Sequence, residues 1–299
     1  MLNYGLVAAA ISMLLIAVDG VIAKYMLRRF SLKAYVPMIL AVGLLPMLAV
    51  QYLYGGNYNL MLYLPEIIIG SAFLAAGYIL YYKALSQAEV SKVTIFSNIQ
   101  PLIIFIFGLF FLKEGISTIP FLGAILIFIG SSLGIYERGL TIDKKLVPAV
   151  LANVSWGVYW IFMASTVTSG NYITPLLIAR AIAFVAVALF YINRKNLIVP
   201  DNSKSARPKR KDSRRRHTGY AILLLSAIAV LIGSFVDSGI NITFSLAISL
   251  SFAVLGSAII AFAPMITAVI GRIAFEDRLK PYQIMGLVMA VIGAALVAL

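Results

Sequence analysis

Three charges stand well inside apolar runs: Asp19 in MLLIAVDGVIA, Arg180 in PLLIARAIAF and Asp237 in LIGSFVDSGIN. A charge in such surroundings is costly, and it faces either a polar cavity or a partner. Arg180 lies about eight residues from the outer start of its segment, roughly 12 Å deep at 1.5 Å per residue, and Asp237 sits at a matching depth. Two readings follow: Arg180 contacts an anionic group of a bound molecule such as a carboxylate, or it only neutralises Asp237. Asp19 is a candidate for a carboxyl that takes up and releases a proton. Its alternative is a structural pair with Lys24, although a separation of five is poorer on a helix than three or four.

Other polar groups surround these charges. Asn98 and Gln100 precede Pro101, and Asn241 follows Asp237 by one turn. Proline removes a backbone donor and loosens the ladder one turn back, so Asn98 either lines a cavity or makes an interhelical hydrogen bond. Tyr78, Asn153, Trp156, Tyr159 and Trp160 offer a mixed aromatic and polar surface, with Trp156 and Trp160 on one helix face. They stack on an apolar or aromatic ligand, or they form an interface belt or packing surface.

The elements that hold these residues must be membrane helices. The chain has 299 residues, 62% hydrophobic and 12% charged, with a mean hydropathy of +0.99, outside the range of ordinary soluble domains. With no cysteine and one histidine, thiol chemistry and thiolate or histidine metal clusters are excluded, and neither cofactor nor metal is expected. No Walker glycine-lysine loop is present, which excludes an ATP-driven pump for this chain alone.

Segments of about 20 apolar residues fall at 4–27, 34–54, 65–85, 90–111, 119–136, 146–167, 172–193, 219–247, 252–273 and 281–298. The eighth is too long for one straight crossing, and Gly233 and Gly239 offer places to bend. The first carries its positive charges after the apolar run, at Arg28 and Arg29, so it is expected to be a retained helix and not a cleaved signal. Residues 194–218 hold ten Lys or Arg against two Asp and read as a flexible cytosolic linker attracted to anionic lipid headgroups. Without interleaved aromatics it is not expected to bind nucleic acid.

Shifting the sequence by 163 places Gly70, Ser71, Pro101, Gly108, Gly123 and Gly130 over Gly233, Ser234, Pro264, Gly271, Gly286 and Gly293 without a gap. Two repeats are therefore expected, residues 1–140 and 141–299. Five helices per repeat is odd, so the copies are inverted in the membrane. In that arrangement 22 of the 24 basic residues fall on one side, with Lys113 opposite and Arg180 inside a helix. The positive-inside rule puts that side in the cytosol and both termini outside. Inverted five-helix halves suit alternating access around a central site. The glycines at 123, 130, 286 and 293 mark close helix contacts, in a scaffold or dimer surface. Glu114 reads as a helix-end marker of the first copy, aligned with Asp277 of the second.

The stretches Ala84–Ser117 and Ala261–Leu296, together with SWGVYW at Ser155–Trp160, resemble the paired EamA signatures of the drug/metabolite transporter superfamily. The first repeat departs at its opening helix, where IAVDGVIAK replaces the Trp-Gly start. The resemblance implies a ten-helix all-α carrier in the cell membrane, a monomer or homodimer. Its expected activity is secondary active transport of a small organic metabolite, an amino acid among the candidates, driven by substrate gradient or proton exchange. The rival readings are a non-transporting membrane scaffold or channel and an intramembrane enzyme; no catalytic set converges in the sequence, so an enzyme is not expected.

Overall fold

The computed structural model describes residues 4–56, 58–88, 90–110, 113–136, 144–167, 171–192, 215–250, 253–267 and 281–299. Among the described residues the chain is all helix and turn, with no strand. Its helices are α1 (Tyr4–Leu27), α2 (Leu32–Val42), α3 (Leu44–Tyr54), α4 (Leu60–Gln87), α5 (Val90–Thr94) and α6 (Ile99–Phe110). They are followed by α7 (Thr118–Ile135), α8 (Val147–Val167), α9 (Thr174–Ile192), α10 (Arg215–Leu250), α11 (Ala253–Ile260) and α12 (Pro281–Val297). Among the described residues, seven helical stretches are long and apolar enough to cross a membrane, the pair α2 and α3 counting as one and α5 with α6 as another. Three apolar stretches are shorter: Thr118–Leu133, Ala253–Thr267 and Pro281–Val297.

Prolines decide where the long stretches break. Pro46 cannot donate to the carbonyl of Val42, and the helix expected over 34–54 divides at Gly43 into α2 and α3. Pro101 likewise cannot donate to Ser97, and the preceding turn winds as a 3₁₀ segment over Ile95–Asn98. Glycine, by contrast, does not break α10. Its 36 residues run continuously through Gly233 and Gly239, so the helix is unbroken at both glycines, and at about 1.5 Å per residue it exceeds the roughly 30 Å hydrocarbon layer. A correction concerns the basic linker, whose last residues Arg215–Thr218 belong to α10. The rest of 194–218, and the end of the ninth expected span with Asp277, lie outside the described residues.

Glycine sets the closest helix approach. A Cβ on Gly123 would come 2.7 Å from the carbonyl oxygen of Gly293, and one on Gly130 would come 2.6 Å from that of Gly286. Neither position tolerates a side chain without the backbones moving apart, so α7 and α12 pack with their glycine faces turned on each other. The glycine faces are consumed within the chain, which removes them as an argument for a dimer surface.

Helix ends pair in a consistent way. Lys24, at the end of α1, donates to the carbonyls of Leu85 and Ala88 at the end of α4. Asn171, before α9, donates to Gly56 O after α3 at 2.9 Å, and its Oδ1 accepts from the N–H groups of Ile173 and Thr174, capping α9. Gln283 of α12 donates to Tyr136 O just past α7. Glu114, beyond α6, accepts from Ala253 N at 2.9 Å and Val254 N at 3.0 Å, the exposed donors that open α11. Lys113 supplies the reversal with a left-handed φ of 51°, and Glu114 N donates back to Gly108 O.

Candidate binding site at the bundle centre

The deepest polar feature is built on one guanidinium. Arg180 is almost fully buried in α9, and its Nη2 lies 2.7 Å from Asp237 Oδ2 of α10. Both carboxylate oxygens of Asp237 also accept from Tyr78 Oη of α4, at 2.7 and 2.8 Å. Arg180 Nη1 donates to Tyr78 Oη at 3.3 Å, and its carbon Cζ stands 5.9 Å from the centre of the Tyr78 ring. The three side chains form a closed triangle from three helices, as buried charges require if they are to be tolerated.

The same guanidinium reaches the break in the second span. Arg180 Nε donates to Leu40 O at 3.0 Å and Nη2 to Ile39 O at 2.7 Å. Ser238, next to Asp237, donates to Gly43 O at 2.7 Å. These carbonyls sit at the C-terminal, partially negative end of α2, where a cation is favoured. Gly43 is needed for this approach: a Cβ there would collide with the Arg180 guanidinium and with Ser238 Oγ.

An aromatic wall encloses the triangle. Trp156 of α8 makes an edge contact with Tyr78 at 5.8 Å and a tilted one with Tyr81 at 4.9 Å, seated where Gly77 leaves no side chain. Tyr35 of α2 meets Tyr82 edge-on at 5.3 Å. On the other flank Tyr159 contacts Trp160 at 5.0 Å, and Trp160 contacts Phe244 at 4.5 Å. Asp19 of α1 lies within electrostatic reach of both Asp237 and Arg180. Near the opposite end of α4, Tyr58 stacks on Tyr63 at 5.6 Å, and burial pushes its hydroxyl up to about 12.

A family profile described as "EamA-like transporter family" matches residues 3–136 and 144–299. The chain belongs to the EamA-like transporter family. A solved structure titled "Crystal structure of protein" shares this EamA-like fold, with a TM-score of 0.70 and 16% identity over 99% of this chain and 96% of that chain. No curated protein matches the chain.

Within this EamA-like chain, Asp19, Tyr78, Trp156, Tyr159, Arg180 and Asp237 converge on one region. Three candidates instead have hydrogen bonds elsewhere, two within their own helices and one to a neighbouring helix. Asn153 donates to Ala149 O of its own helix, Asn241 donates to Asp237 O one turn back, and Asn98 donates to Ser131 Oγ of α7 at 3.0 Å. The last bond is interhelical and leaves Asn98 Oδ1 buried without a partner among the described residues. Lys24 points its ammonium at the end of α4, which is not the geometry of a pair dedicated to Asp19. Sequence reasoning missed Tyr35, Tyr81, Tyr82, Ser238 and the carbonyls around Gly43. Pro37, Gly43 and Pro46 within one expected span were the available signal for the last of these.

Proposed function

We propose that this EamA-like protein is a secondary active transporter of the cell membrane that moves a small organic metabolite by alternating access, with the metabolite's carboxylate drawn to Arg180. The observation that carries this reading is the buried Arg180–Asp237–Tyr78 triangle, a charged site with aromatic walls inside an apolar bundle. A substrate carboxylate can take the place of the Asp237 carboxylate at the guanidinium, and Asp237 then needs a proton or a cation in exchange. Amino acids are the leading candidates, and proton exchange is the proposed drive.

The reading extends to architecture: ten spans, in two inverted repeats over 1–140 and 141–299, with both termini outside and the 194–218 linker cytosolic beside anionic lipid. The glycine contacts support the inversion. Gly123 and Gly130 correspond by repeat to Gly286 and Gly293, yet Gly123 meets Gly293 and Gly130 meets Gly286. This crossed pairing is what a twofold axis produces, since residue i meets the copy of j and j meets the copy of i. The helix-end pairs support alternating direction, because every one joins ends that the ten-span order puts on one side. The protein acts as a monomer or a homodimer.

The test is a thermal-shift screen of the detergent-purified protein with amino acids, other carboxylates, nucleosides and sugar phosphates. A ligand that binds the folded carrier raises the melting temperature by mass action. Stabilisation by a carboxylate in wild type, lost in Arg180→Lys, is expected. Stabilisation by neutral nucleosides alone would reject the Arg180 assignment.

A further inference from the structure

Among the described residues, the bundle centre holds more carboxyl groups than guanidinium groups. Asp19 and Asp237 contribute two carboxylates to one electrostatic neighbourhood, and Arg180 supplies one positive charge. Asp237 takes that charge directly through its 2.7 Å contact. Asp19 Oδ1 is buried with no hydrogen-bond partner among the described residues, and so are Trp156 Nε1 on α8 and Ser234 Oγ on α10. Buried polar atoms are normally satisfied, so the unpartnered Asp19 oxygen marks its layer of the bundle as incomplete without an occupant.

Aromatic rings cluster in that layer. Tyr35, Tyr81 and Tyr82 all lie within electrostatic reach of Asp19, and Tyr81 Oη comes to α1 beside it, 3.2 Å from where a Cβ of Gly20 would sit. Tyr81 in turn packs on Trp156 and Tyr82. Ring faces attract cations, tryptophan most strongly, and they favour weakly hydrated organic cations. Among the described residues no three His, Cys, Asp or Glu side chains converge as a metal site would require.

We infer that Asp19 and the rings of Tyr35, Tyr81, Tyr82 and Trp156 form a cation subsite that takes an organic ammonium group of the transported molecule. The inference rests on the reading of this chain as a carrier, but not on Arg180 as the carboxylate site. Asp19 supplies the countercharge and the rings supply faces around the ammonium. If Arg180 also takes a carboxylate, as proposed above, the pair of subsites selects a molecule carrying a positive group and a negative group, a zwitterion, over a simple anion.

The chain has two tryptophans, Trp156 and Trp160, so intrinsic fluorescence reads the site directly. Wild-type protein in a maltoside detergent is titrated with choline and, separately, with 3,3-dimethylbutan-1-ol, which has the same shape without the charge. A saturable change with choline is expected, with an apparent Kd at least about tenfold lower than for the alcohol, and the preference is lost in Asp19→Asn. Equal responses to the two probes, or none to choline, would overturn the subsite in wild type alone, whatever the variant's folding. Retention of the choline preference by a folded Asp19→Asn protein would overturn it too. Neither probe carries a carboxylate, so a choline response with no carboxylate transport leaves the subsite standing and rejects the Arg180 reading; the converse result does the reverse.

Discussion

Arg180 Nη2 lies 2.7 Å from Asp237 Oδ2, and the same nitrogen donates to Ile39 O at the break between α2 and α3. One side chain therefore ties the charged centre to the point where the second span is divided. If a substrate carboxylate displaces Asp237, the change is felt directly at Gly43, where Ser238 is also bound.

Removing either partner of the pair leaves an uncompensated buried charge. Arg180→Ala and Asp237→Ala are each expected to cost about 3–5 kcal/mol, and the double variant less than their sum. Denaturant unfolding in mixed micelles of all three variants gives the cycle. Strict additivity would show that the pair is not coupled.

Gly43→Ala adds one methyl group where the guanidinium and Ser238 Oγ already stand. A loss of about 1–3 kcal/mol is expected for such overpacking, with a larger proportional loss of transport than Gly56→Ala, a position with open space around it. Thermal denaturation and proteoliposome uptake measured side by side check this.

Gly123→Leu and Gly130→Leu must each separate α7 from α12, since the nearest atoms opposite are backbone. Both are expected to lower the melting temperature by similar amounts, because the crossed contacts are equivalent. Leu122→Ala, on an exposed face, is the control and should stay within about 0.5 kcal/mol of wild type.

Glu114→Ala removes the acceptor for two backbone N–H groups at the start of α11, a change worth about 0.5–2 kcal/mol for a helix cap. It also frees the end of α6 from α11, so this side of the bundle should open more often. The chain has no cysteine, so a single cysteine introduced at Leu255 reports the opening by its rate of labelling. Faster labelling in Glu114→Ala is expected; an unchanged rate would restrict Glu114 to a capping role.

Much of the charged centre was legible because charge is rare in apolar segments. Asp19, Arg180 and Asp237 could be picked out singly, and the matched depth of the last two pointed to their contact. What Arg180 does with its other donors was hidden, because its partners are carbonyls and every residue has one. The rings near Asp19 were hidden for a related reason: with 16 tyrosines in the chain, nothing in the type or spacing of Tyr35, Tyr81 and Tyr82 marks them. Glu114 was placed correctly at a helix end, yet its partner is the backbone of a helix some 140 residues away. Glycine was legible where it repeats, at 123, 130, 286 and 293, whereas at 233 and 239 the helical ladder of α10 runs through without a break.

The most direct test of the account is counterflow in proteoliposomes. Vesicles loaded with an unlabelled amino acid that stabilises the protein are placed in a trace of the same labelled compound. Transient accumulation of label above equilibrium, abolished in Arg180→Lys, is the result the account predicts, because an alternating-access carrier exchanges bound substrate across the membrane. Label that only equilibrates, at a rate indifferent to the unlabelled compound inside, would contradict it and point to a channel.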